Sequence, residues 1–428
     1  MGVSANSDRP VLDYRPRIAD AELSALLAAT GAVLIEGPRG CGKTETASQV
    51  ANSDVRLDTD DDARAAGLVA PHVLLEGERP RLIDEWQLVP AIWNHVRREV
   101  DAGGGRPGQF ILTGSAVPAD DVTRHSGALR FSRLLMRPMS LAEAGYSTGD
   151  ISLAGLFAGD EPRAGETGLT ITGLTERIAV GGWPGLQDRT VEEALIALRG
   201  YLQETSRVDL VRLDGVSRDP QNVDRVLHSL ARNAASGVSA RAIAADVGGA
   251  DGPIDHHTVL DYIAALSRVF VIEDLPAWSP ALRSRSILRA ALTRHFVDPS
   301  LAVAALSTRP ERLLRDVETL GLLFESLVVR DLRIYAQVMD AQVFHYRDNT
   351  ELEADAVVEC RDGRWAAFEV KLGPAAIDDA AANLLRLAAR IDPERHGEPA
   401  TLGVITGWGY GYRRADGVAV IPIGALAP

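Results

Sequence analysis

A chain of 428 residues with 46% hydrophobic content is too long for one core and apolar enough to bury two or three, so several globular domains are expected. Its 45 basic and 59 acidic residues leave a formal charge of −14, which excludes a surface that is basic all round and coats nucleic acid or anionic lipid without selection. Cys41 and Cys360 fall in different expected domains, so no disulfide framework or cysteine metal site arises and a reducing, cytoplasmic setting fits. The first residues lack an apolar signal core and no run of about 18 apolar residues occurs, so neither export nor a membrane span is expected.

From residue 32 short apolar runs alternate with helical stretches, as a parallel sheet covered on both faces requires. Strands are predicted at 32–37, 55–58, 81–85, 109–114 and 133–136, with helices after Gly42 and over 91–102. Residues 147–170, rich in glycine and acids without clear periodicity, read as a loop or linker. Helical spacing then dominates over 174–180, 191–205, 221–235, 239–249 and 253–269. The last pair, followed by a strand-like stretch, has the proportions of a winged helix-turn-helix. Residues 281–296 carry Arg283, Arg285, Arg289 and Arg294 with no acid among them, a candidate phosphate-binding patch for nucleic acid, DNA foremost. The final part predicts a long helix over 311–338, three strands, a helix over 377–391 and a further strand. The domain expectation is therefore 15–150, 171–310 and 311–428.

Gly37, Pro38, Arg39, Gly40, Cys41, Gly42, Lys43 and Thr44 match G-x-x-x-x-G-K-[ST] between an apolar strand and a helix, the context in which the motif forms a phosphate-binding P-loop. Glycines let backbone N–H groups close around phosphates while the following helix points its positive end at them. Lys43 is expected to reach the β and γ phosphates of ATP, and Thr44 to ligate Mg²⁺. In RLIDEWQ, Asp84 and Glu85 stand at the carboxyl end of a strand, where open α/β sheets bind ligands. Asp84 would hold Mg²⁺ through water and Glu85 would orient the attacking water. Thr113 and Ser115 tip a further strand, QFILTGS, in the manner of the sensor strand of AAA-like ATPases, and Arg130 and Arg133 are candidates for an arginine finger.

In the last part, strand alternation places Glu369 and Lys371 on one face of WAAFEVKL, and Glu351, Glu353 and Asp355 on one face of ELEADAVVE. If the strands are neighbours, Asp355 and Glu369 can converge on one divalent ion, with Lys371 beside it to stabilise charge on attacking water or phosphate. Glu325 lies in an otherwise apolar or small helical row, where a carboxylate faces a site sooner than bulk solvent. The alternative is an exposed cross-strand pair of Glu369 and Lys371. Lysine usage weighs against it: Lys43 and Lys371 are the only two lysines among 45 basic residues, and landing on both motif positions by chance would be an event of roughly one in a thousand. An arginine-biased chain keeps lysine where a compact ammonium is needed.

The helix glutamate, the aspartate and the E-x-K element together resemble the restriction-endonuclease-like superfamily. With GPRGCGKT, LIDEWQ, FILTGS, RPMSLAEAG, GGWPG, GLLFE and FEVKLG in this order, the chain from about residue 15 onward resembles a family of AAA-like P-loop ATPases fused to a region known as domain of unknown function 4143. The resemblance implies a P-loop NTPase parallel-sheet domain, a helical winged-helix middle and a restriction-endonuclease-like α/β end. It leaves the physiological task undefined; the first reading of the residues is an ATPase acting on nucleic acid, with ATP and Mg²⁺ as cofactors, assembly into a homo-oligomer by analogy, and catalytic roles for Glu85, Glu325, Asp355, Glu369 and Lys371. The alternative reading is an ATP-gated regulatory switch whose terminal domain binds without cleaving. A protein-remodelling ATPase is a weaker third reading, since no aromatic-hydrophobic-glycine pore loop is evident.

Overall fold

The structure, a computed structural model, describes residues 14–116, 126–248, 254–280, 292–348, 350 and 352–428, with Arg212 described in its backbone only. Five strands form the first sheet: β1 Ala32–Glu36, β2 Ser53–Arg56, β3 Arg81–Asp84, β4 Phe110–Gly114 and β5 Phe131–Leu135. Their order is β2-β3-β4-β1-β5 and every pairing is parallel. Strand β1, flanked on both sides, buries Ala32, Val33, Leu34 and Ile35 completely, which is why the sequence shows a continuous apolar run there in place of alternation. One face packs on Trp86, Trp93 and Val96, the other on Leu23 and Leu27.

The 147–170 segment is more ordered than a linker. A two-residue strand β6 (Ile151–Ser152) starts a short helix, Leu153–Ala158, capped by the Ser152 hydroxyl. This strand pairs with the end of the chain, so its partner lies too far away in sequence to leave a local signal.

Helices Ile171–Val180, Val191–Glu204, Pro220–Arg232, Ala240–Val247 and His256–Arg268 follow. The expected helix over 191–205 runs on through a π-helical turn, Thr205–Asp209, into Leu210–Asp214. An antiparallel pair, β7 (Ile272–Leu275) and β8 (Thr293–Phe296), comes after the last helix. Arg283, Arg285 and Arg289 lie outside the described residues. Arg294, expected in the same patch, is tied down on β8 by Asp274 at 3.2 Å and the Val238 carbonyl at 2.9 Å.

The predicted helix over 311–338 is broken. A turn of helix, Pro310–Leu313, is followed by Val317–Gln337, restarted by Asp316, whose carboxylate accepts from Thr319 N. The last sheet contains β9 (Ala341–Arg347), β10 (Glu353–Cys360), β11 (Trp365–Lys371), β12 (Thr401–Thr406), β13 (Tyr412–Arg413) and β14 (Ala419–Pro422), in the order β13-β14-β12-β11-β10-β9. The final strand β15 (Leu426–Ala427) is the partner of β6. Helix Val317–Gln337 covers one face of this sheet and Ile377–Ala388 the other, the latter burying Ile377, Ala380, Ala381, Leu384 and Leu387. Among the described residues no helix is long and apolar enough to cross a membrane.

Candidate functional site

Two sites emerge, at the carboxyl ends of β1 and β3 and at the splayed end of β10 and β11. In the first, β1 leads into Gly37, where a Cβ would fall 2.0 Å from the Met136 carbonyl oxygen, so only glycine admits this crossing. Gly42 takes the left-handed φ of 105° and releases the chain into helix Lys43–Ser48. That helix has six residues, under two turns, so its dipole is short and the loop amides and Lys43 must supply most of the positive field. The Lys43 ammonium is buried and donates to the Gly37 and Pro38 carbonyls, each at 2.8 Å. Thr44 Oγ1 donates to Asp84 Oδ1 at 2.8 Å, and Thr113 Oγ1 donates to the same oxygen.

Glu85 adopts φ 55°, a left-handed backbone uncommon outside glycine and the kind of strain that persists where surroundings over-determine it. Its backbone N–H donates to Thr113 Oγ1 at 3.2 Å, and its carboxylate accepts from Ser115 Oγ at 2.9 Å and from Gln87 Nε2. Arg39 bridges this group outward, with Nε donating to Ser115 Oγ at 3.4 Å and Nη1 paired to Asp209 at 2.8 Å. Thus Lys43, Thr44, Asp84, Glu85, Thr113 and Ser115 come together. Arg130 and Arg133 do not join them: Arg130 is bound to Asp101 at 2.8 Å and Arg133 to Glu36 at 2.6 Å. Oxygen donors from a threonine and an aspartate side by side suit a hard cation such as Mg²⁺.

Sequence reasoning missed Arg17. It is buried behind the loop, donating to the Cys41 carbonyl at 2.6 Å and the Arg137 carbonyl at 2.8 Å, and it pairs with Glu143 at 3.0 Å. The RPMSLAEAG segment, noted only as a family feature, supplies the Arg137 carbonyl and Glu143. Glu143 also accepts from Ser140 N at 2.8 Å. Leu141 N donates to Asp331 at 3.0 Å, and Arg137 makes two 2.9 Å hydrogen bonds to Glu273. Burial pushes the Glu273 carboxyl up, but Arg137 and Arg333 outweigh it and hold the group down at about 2. GGWPG is explained likewise, since a Cβ on Gly182 would sit 2.0 Å from the Met139 carbonyl oxygen.

At the second site, pairing of β10 with β11 is ordered as far as Ala356 opposite Phe368, and β10 carries a bulge between Ala354 and Val357 against β9. Beyond that point the Asp355 carboxylate enters the gap and accepts from Val370 N at 2.6 Å. Simple alternation therefore did not place Asp355; the splay did. Lys371 Nζ lies 2.6 Å from Glu369 Oε2 and 3.6 Å from Asp355 Oδ2. Burial first, then the Asp355 carboxylate, push Glu369 up to about 7 against the pull of Lys371. The same order of causes raises Glu325 well above the ordinary carboxylate range, so it belongs to the same electrostatic cluster. Glu351 lies outside the described residues, and Glu353 is exposed.

Asn383, also missed, donates to Glu369 Oε1 at 2.5 Å and to the Glu353 carbonyl at 2.7 Å. Its only sequence signal is its place beside the apolar stripe of an amphipathic helix. Three hard carboxylates facing one ammonium are the donor chemistry of a divalent cation. As they stand, no three His, Cys, Asp or Glu side chains among the described residues are arranged to hold a metal ion, and Lys371 neutralises two of the acids.

Comparison with known families matches residues 29–145 to an AAA domain, 171–312 to a domain of unknown function, DUF8612, and 320–426 to another, DUF4143. A solved Walker-type ATPase of Pyrococcus abyssi is 12% identical, with a TM-score of 0.43 over 68% of this chain and 99% of that one, a likeness that assigns no residue a role. No curated protein matches the chain.

Proposed function

We propose that this chain, an AAA domain joined to a DUF4143 region, binds and hydrolyses ATP with Mg²⁺ and uses that cycle to govern a terminal site acting on nucleic acid. The observation that carries the ATP reading is the convergence of Lys43, Thr44, Asp84 and Glu85 at the carboxyl ends of β1 and β3. Lys43 exchanges its loop carbonyls for phosphate oxygens. Thr44 and Asp84 would hold Mg²⁺, which when bound offsets the phosphate charge. Glu85, fixed by Ser115 and Gln87, orients the attacking water and takes its proton, and Thr113 and Ser115 respond to the γ-phosphate.

Glu85→Gln keeps the shape but loses the base, so ATP binding is expected to persist while hydrolysis slows by about a hundredfold or more. Phosphate-release assays beside nucleotide titration check it, and loss of binding in this variant would remove Glu85 from that role.

Coupling to the end of the chain would run through Arg17. It touches the P-loop at Cys41 and, through Glu143 and the 140–142 backbone, meets Asp331 on the helix that also carries Glu325. The helices over 220–268 with β7 and β8 fit a winged helix, in which Arg283, Arg285 and Arg289, between the two strands in sequence, would contact phosphates. At the terminal site Asp355 and Glu369 would hold a divalent cation, which when bound supplies Lewis acidity toward a phosphodiester. Lys371 stabilises charge on the attacking oxygen or phosphate, Asn383 fixes Glu369, and Glu325 adds negative potential from the helix.

The second reading, a switch that binds without cleaving, is favoured by the ammonium lying between Asp355 and Glu369. Incubation with single- and double-stranded DNA and RNA, with Mg²⁺ or Mn²⁺ and with or without ATP, separates the two. Cleavage by wild type that is suppressed in Asp355→Ala and Lys371→Ala, and poorly restored in Lys371→Arg because a planar guanidinium replaces a compact ammonium, is the expected result. Wild type that cuts nothing, or variants that cut equally well, would leave the binding switch.

A further inference from the structure

Arg39 stands third among the eight P-loop residues 37–44, and its guanidinium is shared between two regions of the chain. Nε donates to Ser115 Oγ at 3.4 Å, a long hydrogen bond, and Ser115 Oγ donates in turn to Glu85 Oε2 at 2.9 Å. Nη1 is paired at 2.8 Å with Asp209, whose side chain is only 13% exposed. The helical region also meets the loop through its aromatic side chains. The Arg39 backbone N–H donates to the Tyr201 hydroxyl, and the Tyr201 ring lies 5.3 Å from that of Trp183. A Cβ on Gly40 would stand 3.9 Å from the same Trp183 ring.

Asp209 closes the π-helical turn Thr205–Asp209. Such a turn inserts one residue, re-aims the side chains that follow, and occurs mostly at functional sites. A staple between regions accounts poorly for the pair. The Arg39 side chain is 48% exposed, and an ion pair so open to water contributes at most about 1 kcal/mol. Its other contact is more telling, because Ser115 and Glu85 are the groups that, on the ATP reading, face the γ-phosphate and the attacking water. Arg130 and Arg133 are bound elsewhere, to Asp101 and Glu36.

In hydrolysis the water oxygen bonds to the γ-phosphorus and the bond to the β–γ bridging oxygen breaks. The electron pair leaves with ADP and the water proton passes to Glu85. Negative charge gathers on the transferred phosphoryl and bridging oxygens, where a guanidinium stabilises it. With Asp209 on Nη1, that cation is neutralised and held to the side.

We infer that Arg39 is a catalytic arginine of the ATPase, contacting the γ-phosphoryl group during hydrolysis, and that Asp209 restrains it. This rests on the reading that the chain hydrolyses ATP. It makes the helical region a brake on that reaction, released when the Thr205–Asp209 turn moves.

Phosphate release by the full chain with Mg²⁺, beside titration with a fluorescent ATP analogue and with ADP plus aluminium fluoride, tests it. Arg39→Ala is expected to bind the ATP analogue within about threefold of wild type, which also shows that the loop is folded. Its kcat should fall by about a hundredfold, and aluminium fluoride, which imitates the phosphoryl group in transfer, should no longer tighten ADP binding. Arg39→Lys should recover only part of the rate, because one ammonium replaces a planar fork. Asp209→Asn should do the opposite and raise kcat at least about threefold, a gain that disappears when Arg39→Ala is added. Two variants that slow hydrolysis alike would make the pair a structural staple and overturn the proposal. An Arg39→Ala rate equal to wild type overturns it too, and an Asp209→Asn rate equal to wild type overturns the restraint. Wild type that binds no nucleotide overturns the ATP reading itself.

Discussion

Lys43→Ala is expected to weaken ATP binding by roughly a hundredfold or more, read by titration of a fluorescent ATP analogue. The ammonium is buried, and its two partners, the Gly37 and Pro38 carbonyls, are parts of the loop itself. A charge-assisted hydrogen bond contributes about 1.5–3 kcal/mol, and loss of two such bonds to phosphate corresponds to at least that change in affinity. Removing the side chain also frees the loop carbonyls, so circular dichroism on the variant must show that the parallel-sheet domain remains folded. Lys43→Arg should restore binding poorly, since the planar fork does not fit where a compact ammonium reaches both loop carbonyls. Unchanged affinity in Lys43→Ala would sink the phosphate-site assignment.

The second large effect is on stability. Arg330 is expected to be the costliest single truncation in the chain, because its guanidinium neutralises two fully buried carboxylates at once. It donates to Asp331 at 2.8 and 2.7 Å and to Asp298 at 2.6 Å, with both acids entirely out of solvent. Asp298 in turn accepts from Gly182 N at 2.9 Å and from Ser300, and Asp331 accepts from Leu141 N, so this cluster joins the parallel-sheet, helical and terminal regions. Burial raises the Asp331 carboxyl even with Arg330 beside it, so the unpaired acid would have to protonate or admit water. Breaking such a pair from one side costs about 3–5 kcal/mol. A fall in melting temperature on the order of 10 °C follows for Arg330→Ala. Combining it with Asp298→Asn should cost less than the sum of the two, since the asparagine relieves the charge that the first substitution orphaned. A variant melting within a degree or two of wild type would show that the network contributes little.

The parallel-sheet region was legible because its signals are local. A buried strand is a run of apolar residues, the P-loop is a contiguous octapeptide, and Asp84 and Glu85 follow their strand directly. The match of residues 29–145 to an AAA domain and of 320–426 to DUF4143 bears out that part of the resemblance. Less legible were Arg17, Glu143 and Asn383, whose partners lie in other segments, and the ordered stretch 151–158, whose strand is completed by the end of the chain.

What the sequence by itself determined is therefore the nature of the groups: a lysine, a threonine and two acids at a P-loop and the strand beside it, and three acids with a lysine at two strand ends and a helix. What only the tertiary structure decided is which of them meet. Asp355 reaches the Glu369 and Lys371 pair because β10 bulges and splays from β11 there, letting a carboxylate take the free Val370 N–H. The RPMSLAEAG and GGWPG segments acquire their meaning only when Arg17, Asp298, Arg330 and Asp331 converge on them from distant parts of the chain. Buried charges must be paired, and the fold, not the spacing along the chain, chooses their partners.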